Sequence, residues 1–233
     1  MLKMEGKNSF FDCLNFKVII LTAVIFFFLA ASPAASLEIV SIPLEKTEKD
    51  IYQIDAEIPI LMDLNHKDIS EKYNDLFRDN IMSFIEYTIE MARQSQRDFA
   101  EAEFPRREFV GRVDFDLKNS SEILSIKFNY YQYTGGAHGN PYSLSYNIDL
   151  ATGEDLKLAD FLARNKMTLA EVEEIIKSEI KKEAELYFED DYGFQSLEAD
   201  QCYYLENGKL VVYFQPYAIA PYSTGMPEFR IKY

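Results

Sequence analysis

LSIKFNYYQYTGGAHGNPYSLSYNI, residues 124–148, is the stretch whose reading decides how this 233-residue chain folds. Leu124, Ile126, Phe128 and Tyr130 alternate with the residues between them, and Tyr142, Leu144, Tyr146 and Ile148 repeat the pattern. A period of two places each set on one face of an extended strand. Between the two sets, Gly135, Gly136, Gly139 and Pro141 break the alternation and display His138, one of only two histidines. Glycine takes positive φ or admits another chain closely, so this is a turn on which a function could be mounted. Upstream, Phe109, Gly111, Val113, Phe115 and Leu117 form a third alternating set, followed by turn residues at 118–121. Three strands joined by short links predict an antiparallel meander with the glycine loop at one edge.

Working outward, Tyr52, Ile54, Ala56, Ile58 and Ile60 predict another strand, ending near Pro59. Asp68 and Glu71 have capping-box spacing ahead of Ile69, Tyr73, Leu76, Phe77, Phe84, Thr88 and Met91, an apolar stripe at helical spacing that continues toward Phe99. After a turn at 151–154, Thr168 and Glu171 give a second capping box, and Leu169, Val172, Ile176 and Ile180 line a helix expected to run to about Tyr187. Strands at 203–205 and 210–214 flank Asn207-Gly208, a strong hairpin signal, and 228–233 reads as a closing strand. The expected fold class is α+β, with antiparallel sheets and two main helices. Two sub-domains, 37–150 and 151–233, would each pair a helix with a sheet.

The apolar run Val18–Ala31 follows Lys3, Lys7 and Lys17 and precedes Ser32-Pro33-Ala34-Ala35-Ser36, the order of an export signal. Residues 1–36 are therefore expected to be a signal peptide, the run being short for a bilayer span. Its removal leaves 21 basic and 37 acidic residues, a net charge of −16. Such a chain repels nucleic acid and anionic head groups and attracts cationic partners, and its charge also serves solubility. It would touch a membrane only through an uncleaved signal. Cys13 is lost with that segment, and Cys202, alone, reads as a small core residue.

No chemistry is written plainly. His66, His138 and Cys202 are far apart in sequence, so neither a metal nor a cofactor is expected. Tyr222-Ser223-Thr224-Gly225 lacks the first glycine of a nucleophile elbow, and there is no phosphate-binding glycine loop. His138 could anchor a partner, act as a base, or lock its own loop through a neighbouring carbonyl. Alternation turns Tyr130, Tyr142 and Tyr146 toward the core, which leaves Tyr131, Tyr133, Tyr217 and Tyr222 as contact candidates.

The motifs at Tyr131–Gly139 (YQYTGGAHG), Ile148–Glu154 (IDLATGE) and Phe214–Tyr222 (FQPYAIAPY) carry a resemblance. From about Ile51 to Tyr233 the chain resembles the paired domains of unknown function in RsiV-type lysozyme-sensing anti-sigma factors and in the non-catalytic region of PdaC-type peptidoglycan deacetylases. Only seventeen residues precede Val18, too few for a sigma-binding domain, and no catalytic domain follows, so the chain looks like the binding module alone. The resemblance implies an extracytoplasmic, periplasmic or secreted protein that recognises lysozyme or cell-wall glycan, and the negative charge favours the cationic protein. The expected binding residues are Tyr131, Tyr133, Gly135, Gly136, His138, Gly139, Pro216, Tyr217 and Tyr222. The alternative is a cell-wall hydrolase or deacetylase using His138 with an acid such as Asp149.

Overall fold

The structure, a computed structural model, describes residues 37–62, 67–100 and 107–233. The expected signal segment and His66 lie outside the described residues. Eight strands and three α-helices follow in the order β1 (Glu38–Glu48), β2 (Tyr52–Met62), α1 (Lys67–Asp98), β3 (Phe109–Ser120), β4 (Ile123–Tyr133), β5 (Asn140–Asp149), α2 (Leu158–Arg164), α3 (Leu169–Ile180), β6 (Tyr203–Glu206), β7 (Lys209–Tyr213) and β8 (Glu228–Lys232). Strands β1 to β5 form one sheet in sequence order, and β6 to β8 form a second. The α+β class and the β3–β4–β5 meander match the sequence reading. The pairing of β2 with β3 differs: it is parallel, from Tyr52 opposite Phe109 to Ala56 opposite Val113, because α1 carries the chain back across the sheet between them.

Helix α1 presents Tyr73, Phe77, Ile81, Phe84, Ile85, Thr88 and Ala92 to the first sheet, where Ile54, Ala56, Val113, Ile126 and Phe128 meet them in one core. Phe77 and Phe128 pack with ring centroids 4.8 Å apart. Each such side chain contributes about 1.5–3 kcal/mol by leaving water. The helix begins at Lys67, so Asp68 sits inside its first turn and does not cap it, and Leu76 lies toward solvent. Strand β2 continues through Pro59 to Met62. Proline is tolerated because β3 pairs only as far as Ala56. On that open side Leu61 gives its N–H and C=O to the Asn74 side chain, at 2.7 and 3.0 Å.

A second core surrounds Phe161, Leu162, Val172, Ile176, Leu210, Val212, Phe229 and Ile231. The Thr168 capping box is formed as expected, with Glu171 N–H on Thr168 Oγ1 and Thr168 N–H on Glu171 Oε2. Helix α3 stops at Ile180 and tightens into a 3-10 helix to Leu186, since Glu183 leaves helical geometry at φ −137°. Asn207 and Gly208 close the β6–β7 hairpin with both φ positive, 52° and 68°, the geometry that Asn-Gly favours.

The two sheets meet through polar groups. Ser125, Lys127, Ser143 and Asn147, on the side of β4 and β5 away from α1, are all buried. Ser125 Oγ donates to Asn147 Oδ1 (2.6 Å) and accepts from Leu205 N–H (2.9 Å). Ser145 Oγ and Asn147 Nδ2 both reach the Tyr203 carbonyl, at 2.6 and 2.9 Å. Lys127 Nζ pairs with Glu228 Oε1 at 2.9 Å and lies 5.3 and 4.8 Å from the ring centroids of Tyr204 and Tyr213. Both faces of β4 and β5 are therefore covered, where alternation predicted one.

Candidate functional site

The loop between β4 and β5 is held from below. Gly135 has φ +88°, a conformation that side-chain-bearing residues rarely adopt. The Arg107 guanidinium donates to Tyr133 Oη at 2.8 Å and to the Gly136 carbonyl at 3.0 Å, while Tyr133 Oη donates to the same carbonyl at 3.1 Å. The Tyr133 contact raises the Arg107 pKa further, so this brace stays cationic. A methyl group built at Gly139 would overlap the outer end of the Tyr131 side chain, its Cζ, Cε2 and Oη. A side chain at position 139 therefore requires the Tyr131 ring to move, whereas a Cβ at Gly136 would meet nothing closer than 3.9 Å.

The C-terminal link is fixed onto the same loop. Gln215 acts as a one-residue strand: its Oε1 accepts from Ser143 N–H at 3.0 Å and its Nε2 donates to Ser143 O at 2.6 Å, closing the edge of β5. Ile219 and Ala220 anchor the link in the second core. Tyr222 Oη then donates to the Gly139 carbonyl at 2.9 Å, and its ring stacks on His138 at 4.2 Å. His138 Nδ1 lies 2.9 Å from the same carbonyl, which can only accept, so Nδ1 carries the proton. Tyr217 holds a positive φ of 68° and packs 5.7 Å from the Tyr222 ring.

Two segments some 80 residues apart thus converge, and what they turn outward is His138, exposed, Tyr217, 55% exposed, and the half-buried Tyr222. Of the expected contact residues, Tyr131 and Tyr133 serve the loop as props. Pro216 is half-buried beside Tyr217. Phe188 N–H donates to Ile219 O and Thr224 Oγ1 to Leu186 O, both at 3.0 Å. These bonds bring in an acidic segment, Glu189, Asp190 and Asp191, followed by Tyr192 at 81% exposure. Sequence reading missed Arg107 and Gln215. The signal for Gln215 was its place just ahead of Pro216-Tyr217, while nothing near Arg107 marked it.

Asp149 does not join His138. It ends β5, ten residues and about 30 Å from the loop at ~3.3 Å per residue. There it pairs with Arg164, whose guanidinium, with the N–H groups of Ala151 and Thr152, holds the carboxyl below the usual aspartate range. Among the described residues, no helix is long and apolar enough to cross a membrane.

Residues 45–141 match the family profile described as Deacetylase PdaC, and residues 159–233 match that of a protein of unknown function, DUF3298. The chain is 23% identical to the anti-sigma-V factor RsiV of Bacillus subtilis (strain 168) over 199 residues, which cover 80% of this chain and 65% of that protein. The chain therefore spans less than two thirds of that relative's length. A crystal structure of a DUF3298 family member from Bacteroides fragilis NCTC 9343 superposes with a TM-score of 0.64 at 19% identity, over 85% of this chain and 92% of that one. A DUF3298 family protein from Pseudomonas aeruginosa PAO1 gives 0.53 at 20% identity, over 84% and 91%. These two establish the fold. A PdaC-type domain followed by a DUF3298 domain, with RsiV as a relative across both, places the chain in the RsiV- and PdaC-like paired-domain family.

Proposed function

We propose that this chain is a non-enzymatic recognition module of the cell envelope, working outside the cytoplasm, that grips a cationic protein of the lysozyme type. The observation that carries this reading is the convergence of loop and link, where stacked His138 and Tyr222 with Tyr217 form an exposed aromatic surface fixed by hydrogen bonds on both sides. Fixed aromatic side chains lose little entropy on binding, which suits them to protein interfaces. The acids at 189–191 and the net charge of −15 favour a cationic partner and speed its approach. A glycan would gain stacking at the same surface but nothing from the carboxylates. The acid offered as an example for the hydrolase reading, Asp149, is remote from His138 and committed to Arg164, which favours the non-enzymatic reading.

Titrating the protein with lysozyme across a salt series tests this. Saturable binding that weakens with salt is expected, with Tyr217→Ala costing about 2 kcal/mol, roughly thirtyfold in affinity. Absence of saturation at low salt refutes it.

A further inference from the structure

A second surface lies on the other side of β5, where the flank of α1 meets the edge of the first sheet. A groove of about 360 Å³ runs between Asn80, Ser83 and Tyr87 on α1 and Tyr130, Tyr142 and Leu144 on the sheet, with Phe84 at its floor. Its volume is at the small end of ligand sites, which run to roughly 300–1,000 Å³. Tyr130 and Tyr142 stack parallel at 4.7 Å with 2° between their planes, and Phe84 meets both rings edge-on, so this wall is rigid. Above it stand Tyr87, 60% exposed, and Leu144, 38% exposed.

Two properties define what fits. In a chain with 27% charged residues, none of the seven lining side chains is charged, so neither an anion nor a cation finds a counter-charge among them. The wall is nonetheless polar at specific points. Tyr130 is only 4% exposed, yet its hydroxyl has no hydrogen-bond partner among the described residues, and the same holds for the hydroxyls of Tyr142 and Ser83. Every fully buried polar side-chain atom among the described residues is satisfied, so the Tyr130 hydroxyl must be one that the groove leaves reachable. Burial raises the pKa of both phenols, so they are neutral donors at any ordinary pH. Asn80 Nδ2 is engaged with Tyr146 Oη at 2.8 Å, which orients its amide.

An apolar side chain from a protein partner would cover these hydroxyls and leave them unpaired, a cost of a few kcal/mol. A sugar ring has a C–H face for the aromatic ring of Tyr87 and an edge of hydroxyls for the phenols and amide. We propose that this groove binds a neutral pyranose ring of an oligosaccharide, stacked on Tyr87 and hydrogen-bonded by Tyr130, Tyr142 and Ser83. The site is separate from the loop-and-link surface and stands whether or not that surface binds lysozyme.

The test is calorimetric titration of the protein with chitotetraose, whose sugars carry acetamido groups, and cellotetraose, whose sugars do not, alongside tyrosine emission, since the chain has 16 tyrosines and no tryptophan. At least one should bind saturably, and Tyr87→Ala should weaken it about tenfold, the loss of one stacking contact. Tyr87 is exposed enough for its replacement to leave the melting temperature unchanged. Tyr217→Ala, which tests the other surface, should bind sugar as the parent does. No saturation by either oligosaccharide, or equal affinity in Tyr87→Ala, overturns the proposal. Binding of a leucine- or phenylalanine-rich peptide in place of both sugars overturns it in favour of an apolar occupant.

Discussion

Replacing Lys127 with methionine probes what holds the two sheets together. Lys127 is 8% exposed, and its ammonium makes a charge-assisted hydrogen bond to Glu228 at 2.9 Å and lies over two tyrosine rings. The hydrogen bond contributes roughly 1.5–3 kcal/mol and each ring about 0.5–1 kcal/mol. Methionine recovers apolar burial with no charge to desolvate, and Glu228 keeps Tyr204 Oη at 3.0 Å and Arg230 at 2.9 Å. The net loss is therefore about 2 kcal/mol, below the ~3–5 kcal/mol typical of a fully buried pair broken on one side. The sign of the pH dependence follows from Glu228. Burial alone would raise its carboxyl, but Lys127, Tyr204 and Arg230 outweigh that, so its folded pKa lies below the ordinary value. A depressed carboxyl stabilises the fold above its unfolded pKa, about 4.3, and that stability is lost as pH falls through the folded value. Lys127→Met removes much of the depression, so the gap between parent and variant should narrow as the carboxyl protonates. Urea unfolding at pH 7 and at about pH 3 reads this directly. An unchanged gap at the two pH values refutes the assignment of stability to the pair.

Gly139→Ala should drive the Tyr131 ring away from the loop, costing about 1–3 kcal/mol as overpacking and loosening His138. Thermal melting and hydrogen exchange at residues 134–140 would report it, and an unaltered melting temperature would contradict the close approach. Gln215→Ala should leave Ser143 N–H and C=O without their partner, destabilising the protein by about 1–3 kcal/mol and raising exchange at the Ser143 amide. Unchanged exchange there would show that the amide clamp is dispensable.

The parts of the fold legible in the sequence are those where one face is apolar. Leu124, Ile126, Phe128 and Tyr130 alternate cleanly because α1 covers that face. The opposite face gives no apolar signal because Ser125, Lys127, Ser143 and Asn147 are polar, and their partners on β6 and β8 make their burial tolerable. Strand β1 escaped notice because it is an edge strand with Pro43 at its centre and no fully buried residue, so period-two alternation is faint. Helix α2 has seven residues, too few to show a helical period. At the site, composition and family resemblance singled out the loop and the link separately. Their junction through Tyr222 and Gly139 is a tertiary contact across 83 residues, which no local pattern encodes. The groove beside Tyr87 was hidden for a related reason. Alternation correctly turned Tyr130 and Tyr142 inward, but the helix flank that leaves their hydroxyls reachable is a matter of packing.

The Gln215 clamp has a consequence for anyone dividing the molecule. The outer margin of β5 is closed at Ser143 by Gln215 and at Asn147 by Asp155 Oδ1 and Leu156 N–H, all supplied from farther along the chain. Truncation after Asp149 would strip these away and bare the outer edge of a ten-residue strand beside a polar sheet face. Such a margin is a template for another copy of itself, so the severed N-terminal half should polymerise edge to edge while the intact chain does not.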